Sequence, residues 1–205
     1  MAKLLAVKGH PLTSNESFSV KGLEAFLAKY KQENPADEVE VLDVFQADIP
    51  EIDEDIITAW GALGQGTEFT ALTPAQQDKV SRFNQYTEQF LNSDKVVVAS
   101  PLWNLMIPAR LKVWMDTIMV AGKTFRYTAN GPEGLAAGKK VLHLQANGGV
   151  YGENDPSSQY VKSIFGFVGA ETDHVAVEGH AYAPENAENI LADFIGKVEA
   201  KASNF

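Results

Sequence analysis

Short apolar runs alternate with amphipathic stretches along most of this chain. Leu4 to Val7 is apolar and stops at Gly9, the pattern of a strand followed by a turn. Val20, Leu23, Phe26, Leu27 and Tyr30 then recur at helical spacing, which predicts a helix over Ser17 to Tyr30. Val39, Val41 and Val44 mark a second strand, and a helix is expected over Asp53 to Leu63. Thr73-Pro74 pairs an N-cap residue with proline at the first helical position, so a helix starts there and runs to Asn92. Lys95 to Ser100 is almost wholly apolar, as expected of a strand covered on both faces. A helix over Ala109 to Val120, a strand over Val141 to Ala146, a helix over Ser158 to Val168, a strand over Val175 to Val177 and a helix over Pro184 to Ala202 complete the series.

Strict alternation of strand and helix implies a parallel sheet with right-handed crossovers. The fold class is therefore α/β: a doubly wound, flavodoxin-like arrangement of five parallel strands in the order 2-1-3-4-5, with helices on both faces. At 205 residues and 45% hydrophobic content the chain suits one domain over its whole length. Two segments exceed what a bare connection needs. They are Phe45 to Leu72 and Lys123 to Gly138, the latter with an Asn130-Gly131 turn.

Composition narrows the function. The formal net charge is −10, so nucleic acid and anionic membrane surfaces are not expected partners. No run is apolar for long enough to span a bilayer, and the first residues do not form a signal peptide, so a cytoplasmic location is expected. There is no cysteine, which removes disulfides, thiolate metal sites and thiol nucleophiles together. His10, His143, His174 and His180 show no metal-ligand spacing, and no metal is expected. GxGxxG, GxxxxGK[ST] and GxSxG motifs are all missing, which argues against a dinucleotide pyrophosphate loop, a nucleotide triphosphatase and a serine hydrolase.

Ligands of open parallel sheets bind at the carboxyl ends of the strands, near the reversal of strand order. Three loops fall there. After the first strand, Gly9 to Ser19 is rich in hydroxyls and runs into a helix start, where unpaired N–H groups and the helix dipole suit a phosphate. Its ordinary reading is a serine N-cap behind a polar loop. After the third strand, Pro101-Leu102-Trp103-Asn104-Leu105 is apolar where a polar loop is usual, as a planar, mostly apolar ligand would require. A buried loop with Trp103 in the core is the competing reading. After the fourth, Ala146-Asn147-Gly148-Gly149 carries adjacent glycines, which let a backbone approach a flat ring or simply make a flexible turn.

At these loops, and over nearly the whole chain, the sequence resembles the FMN-dependent NADH-azoreductases, also described as FMN-dependent NADH:quinone oxidoreductases. The motifs that carry the resemblance are Thr124-Phe125-Arg126-Tyr127-Thr128-Ala129-Asn130-Gly131-Pro132-Glu133-Gly134-Leu135, Gly138-Lys139-Lys140, and Pro101-Leu102-Trp103-Asn104. The resemblance implies a homodimer with sites at its interface, bound FMN, NADH or NADPH as electron donor, and quinones and azo compounds as acceptors in a ping-pong cycle. It further implies a phosphate site at Ser17, Phe18 and Ser19 with His10 nearby, protonated His10 being one way to pair the phosphate. The ring would lie against Pro101 to Leu105 and Ala146 to Gly149, and Phe125, Tyr127 and Phe167 would face the substrate. No side chain is assigned as an essential acid or base. Many relatives have Ser where His10 stands, Met-Tyr-Asn-Phe at 102 to 105 and Ser-Arg-Gly-Gly at 146 to 149. Two readings from other classes stand beside this one: a non-catalytic flavodoxin-type electron carrier, and a structural or regulatory domain.

Overall fold

The computed structural model describes residues 1–152 and 154–205. Five parallel strands form the sheet: β1 (Lys3–Lys8), β2 (Glu38–Asp43), β3 (Lys95–Pro101), β6 (Lys140–Ala146) and β7 (Glu171–Val177), in the order β2-β1-β3-β6-β7. Counting the sheet strands alone, this is the expected order 2-1-3-4-5. β4 (Phe125–Thr128) and β5 (Gly131–Gly134) form a separate antiparallel hairpin. The helices are α1 (Phe18–Glu33), α2 (Glu54–Gly64), α3 (Pro74–Leu91), α4 (Ala109–Thr117), α5 (Pro156–Phe167) and α6 (Ala187–Ala202).

Side-chain alternation along the strands divides the core in two. Leu5, Val7, Val96, Val98 and Val141 point to one face, where Phe90, Leu111, Trp114, Met115 and Phe165 of α3, α4 and α5 meet them. Leu4, Ala6, Val97, Ala99, Leu142 and Leu144 point to the other, against Leu23, Phe26 and Tyr30 of α1 and Phe194 and Val198 of α6. Burial on both sides explains why β3 reads as a continuous apolar run. Each fully buried aliphatic or aromatic side chain here contributes roughly 1.5–3 kcal/mol.

The boundaries follow local chemistry. α3 opens on a capping box, with Thr73 Oγ1 and the Gln76 side chain each bonded to the other's backbone N–H and Pro74 in the first turn. α4 stops at Thr117, three residues before the Val120 expected from periodicity. There Thr124 Oγ1 donates to the Ile118 carbonyl at 2.6 Å and accepts from the Val120 N–H at 3.0 Å, which folds the chain back toward β4. β7 begins at Glu171, four residues before the apolar Val175–Val177 run, because pairing with β6 from Lys140 onward continues through polar positions. Among the described residues no helix is long and apolar enough to cross a membrane.

Candidate active site

β1, β3 and β6 are neighbours, and their carboxyl ends bring the three singled-out loops to one rim of the sheet. Gly9 joins two of them. Its N–H donates to the Ala99 carbonyl at 2.7 Å, and a Cβ at this position would lie 2.8 Å from that same oxygen, so only glycine lets the chain leave β1 this close to β3.

The loop then enters α1 through Ser17. The Ser17 backbone N–H donates to the Thr13 carbonyl, and its Oγ accepts from the Val20 N–H at 3.3 Å and lies 3.0 Å from Ser19 Oγ. Of the four N–H groups that a helix start leaves unpaired, these bonds satisfy those of Ser17 and Val20. The N–H groups of Phe18 and Ser19 have no acceptor among the described residues. Two adjacent free donors at the positive end of a helix could receive an anionic group.

His10 is buried, with its ring centroid 5.2 Å from that of Trp103. Its Nδ1 accepts from the Leu12 N–H at 3.1 Å, so the ring proton sits on Nε2. Burial, aided by the charge of Lys8 and opposed by Glu16, holds its pKa below the ordinary value. The imidazole is therefore neutral near pH 7 and can serve an anion as a neutral N–H donor. In the ligand-free chain a protonated His10 is disfavoured, because Nδ1 already accepts a hydrogen bond and the ring is desolvated.

Beyond the buried Pro101, the Leu102 N–H donates to the Ala146 carbonyl at 2.9 Å, which joins the second loop to the third. Trp103 and Met106 then exchange backbone hydrogen bonds of 2.9 and 3.0 Å around a two-residue turn. Asn104 and Leu105 stand at φ 50° and 64°. Positive φ at both central positions is the type I′ geometry, which Asn-Gly favours and a leucine at the second position resists. Trp103 is 42% exposed and Leu105 54%, so this loop displays an apolar shelf at the rim and does not bury Trp103 in the core.

In the third loop Asn147 is wholly buried, its side chain held between Gln145 Nε2 at 2.7 Å and Glu178 at 2.9 Å and its N–H donating to the Val177 carbonyl at 2.8 Å. The adjacent glycines have an internal reason as well. A Cβ on Gly149 would lie 3.0 Å from Tyr182 Oη and 3.1 Å from the Tyr151 ring, and one on Gly148 would lie 3.2 Å from Ala181.

The aromatic residues expected on the substrate face sit elsewhere in the same chain. Phe125 is buried, 4.9 Å from the Phe167 ring and 5.5 Å from the Tyr127 ring. Phe167 closes α5, which runs antiparallel to the strands. α5 opens at Asp155, whose carboxylate lies near the Gln145 side chain at the carboxyl end of β6. It ends where the Glu171 N–H donates to the Lys139 carbonyl, at the amino end of β6. Seven residues of strand separate the two ends, about 20 Å. The hairpin is seated at this far end: the Ala136 N–H donates to the Val168 carbonyl, and Gly134 lies flat on Val168 and Gly169. Tyr127, 76% exposed, and Phe167 thus form a second apolar patch away from the three loops.

The segment after β7 lies outside the loops at the strand-order reversal, yet it belongs to the same rim. Glu178, His180 and Tyr182 there all touch the rim loops. The signal available in the sequence is positional, a carboxylate directly after a strand's last residue. A cavity of about 490 Å³ lined by Glu178 and Phe194, and one of about 170 Å³ lined by His143, His174 and Val161, lie outside the three loops. Among the described residues no three His, Asp or Glu side chains converge as a metal cage would.

A family model of the flavodoxin-like fold matches residues 2–202. The chain is 44% identical over 200 residues to an FMN-dependent NADH:quinone oxidoreductase of Streptococcus suis, with 97% of each chain covered. It is 42% identical to an FMN-dependent NADH:quinone oxidoreductase of Bacillus anthracis, over the whole of both chains. Among solved structures, an azoreductase from Bacillus anthracis superposes with a TM-score of 0.93 at 39% identity, covering both chains fully. An FMN-dependent NADH-azoreductase from the same species, solved in complex with FMN, gives 0.93 at 32% identity, with 100% of this chain and 99% of that chain covered. On the shared fold, the full-length coverage and identity above 40%, this chain belongs to the family of FMN-dependent NADH:quinone oxidoreductases.

Proposed function

We propose that this protein is an FMN-dependent oxidoreductase that passes electrons from NADH or NADPH to quinones and cleaves aromatic azo compounds to amines. The observation that carries the reading is the pairing, on one rim, of two free N–H groups at the start of α1 with an apolar, strained shelf at the end of β3. One suits a phosphate and the other a flat heterocycle, and FMN is both. The family's other members, one of them solved with FMN, support the same assignment.

Ser17, Phe18 and Ser19 would hold the phosphate, with the Nε2–H of His10 as a neutral donor. Pro101, Leu102, Trp103, Asn104 and Leu105 would support one edge of the ring and Ala146, Asn147, Gly148 and Gly149 the other, through backbone groups. Bound FMN supplies the hydride and electron chemistry, while the protein binds, orients and excludes water. Donor and acceptor would use one open face in turn, a ping-pong order. An azo bond needs four electrons, hence two donor molecules per bond, with protons drawn from water or Tyr127.

Phe125, Tyr127 and Phe167 would line the acceptor slot. Their place at the far end of α5 supports a role in the site of a second copy, with a homodimer as the working unit. Trp103 from one chain and Phe167 from the other would then present an apolar, adaptable slot suited to varied aromatic acceptors.

Anaerobic mixing of the FMN-loaded protein with NADH tests the reading. Rapid bleaching of the flavin absorbance is expected, followed by reoxidation on adding a quinone. A flavin that stays oxidised would instead mark a carrier that exchanges electrons only with proteins, and protein that takes up no FMN would mark a non-catalytic domain.

A further inference from the structure

Glu178, the residue after β7, accepts three hydrogen bonds. Oε1 accepts from Asn147 Nδ2 at 2.9 Å, and Oε2 accepts from the backbone N–H groups of Tyr151 at 3.2 Å and Gly152 at 3.0 Å. Among the described residues no lysine or arginine pairs with it, so its charge is met by N–H dipoles alone. An ionised carboxylate only accepts, and this dictates the rest of the network. Asn147 must turn Nδ2 toward Glu178, which turns Oδ1 toward Gln145, whose Nε2 donates to it at 2.7 Å.

The next four residues extend the same clasp. The Gly179 N–H donates to the Gly149 carbonyl at 2.9 Å and the Ala181 N–H to the Gly148 carbonyl at 3.1 Å. The His180 ring packs 4.6 Å from the Phe18 ring, at the first turn of α1. The Tyr182 ring fills the space over Gly149. One short segment therefore touches both the glycine-bearing loop and the helix start that would hold the phosphate.

We infer that Glu178 is a positioning residue for the FMN cradle. Acting through Asn147 and the N–H groups of Tyr151 and Gly152, it fixes the glycine-bearing loop, and the segment behind it sets that loop at a constant distance from the start of α1. The inference rests on the FMN reading above. Glu178 itself touches only protein groups, and its effect on the cofactor is transmitted by the loop.

Three variants test this: Glu178→Ala, Asn147→Asp, and Asn147→Asp combined with Glu178→Gln. Glu178→Ala strands three donors, and Asn147→Asp sets two carboxylates against each other. The double variant restores a complementary pair. Its new amide at position 178 donates through Nε2 to the new carboxylate at position 147, and accepts through Oε1 from the N–H groups of Tyr151 and Gly152. In FMN-free protein, amide exchange at Tyr151 and Gly152 should speed up about tenfold or more in Glu178→Ala. The FMN dissociation constant, read from quenching of flavin fluorescence, should rise about tenfold or more in each single variant and return toward the wild-type value in the double. Glu178→Ala that binds FMN as tightly as wild type overturns the inference, and so does a double variant no better than Asn147→Asp. Should Glu178→Ala not fold, comparison of Asn147→Asp with the double variant decides alone. Wild-type protein that takes up no FMN defeats the cofactor assignment itself, whereas a binding wild type with an equally binding Glu178→Ala defeats only the role of Glu178.

Discussion

His143 on β6 faces His174 on β7 across one register position, with ring centroids 5.0 Å apart, and His143 Nε2 lies 2.9 Å from Ser100 Oγ. Burial, reinforced by the neighbouring His174, pushes the His143 pKa down to about 3. His10 and His180 are shifted in the same direction, chiefly by burial.

Acid sensitivity follows. In the unfolded chain His143 binds a proton below its ordinary pKa of 6.5, whereas the folded state refuses it until about pH 3. The stability linked to this group is complete above pH 6.5 and declines as the pH falls toward 3. The decline should reach about 1.4 kcal/mol per pH unit for this residue alone. Urea midpoints should drop between pH 6.5 and 4.5, above the range of ordinary carboxylates, and His143→Gln should flatten that part of the curve. A midpoint indifferent to pH over this window would contradict the burial of a neutral imidazole at His143.

The shelf at the end of β3 carries strain that can be released. Leu105 occupies left-handed backbone at φ 64°, which costs a side-chain-bearing residue roughly 1–2 kcal/mol. Leu105→Gly makes the favoured Asn-Gly turn and should raise stability toward denaturant by up to about 1 kcal/mol. The same change removes apolar surface from the rim, so FMN affinity should fall. Opposite signs in the two measurements are the expected outcome, and loss of both would remove the case for strain.

Ser17 has two duties, and Ser17→Ala should show both. Loss of the cap on the Val20 N–H should lower stability by about 1 kcal/mol. Loss of the hydroxyl at the anion site should weaken FMN binding further, and inorganic phosphate should protect the variant less than wild type against thermal unfolding.

Gly134→Ala should release the hairpin. The added Cβ would overlap the Val168 carbonyl carbon and the Gly169 nitrogen, and both are backbone atoms that cannot step aside. A destabilisation of about 1–3 kcal/mol or more is expected, together with faster proteolysis within Lys123 to Gly138.

Phe167→Ala should change the preference among quinone and azo acceptors more than it changes FMN retention. Steady-state rates with several acceptors, set beside FMN fluorescence titrations, check this. Parallel loss of both would place Phe167 in the cofactor cradle and not in the acceptor slot.

Much of this architecture is written in local chemistry. Thr73-Pro74 announces α3, the Val96–Val98 run announces a strand covered twice, and Ser17 announces α1, because each signal acts within a few residues. What the sequence hides depends on partners distant in the chain. Nothing beside Phe167 tells that α5 carries it to the amino end of the sheet. Asn147 reads as a rim residue until Gln145 and Glu178, the latter 31 positions away, draw its side chain inward. The glycines at 148 and 149 suggest a ligand when read alone, yet Ala181, Tyr151 and Tyr182 already require them. The end of α4 is not legible in its own periodicity because Thr124, beyond the helix, supplies the hydroxyl that stops it.

The span of β6 between the rim and the Phe167 patch has a consequence for enzymology. Loop motions of a few ångströms cannot close a gap of about 20 Å set by the rise of a strand, so a slot using both must be assembled from two molecules by mass action. Under the proposed function, specific turnover is then a function of enzyme concentration. It should hold steady in stock solutions and sag on serial dilution, and a chemically cross-linked pair should be immune to that loss.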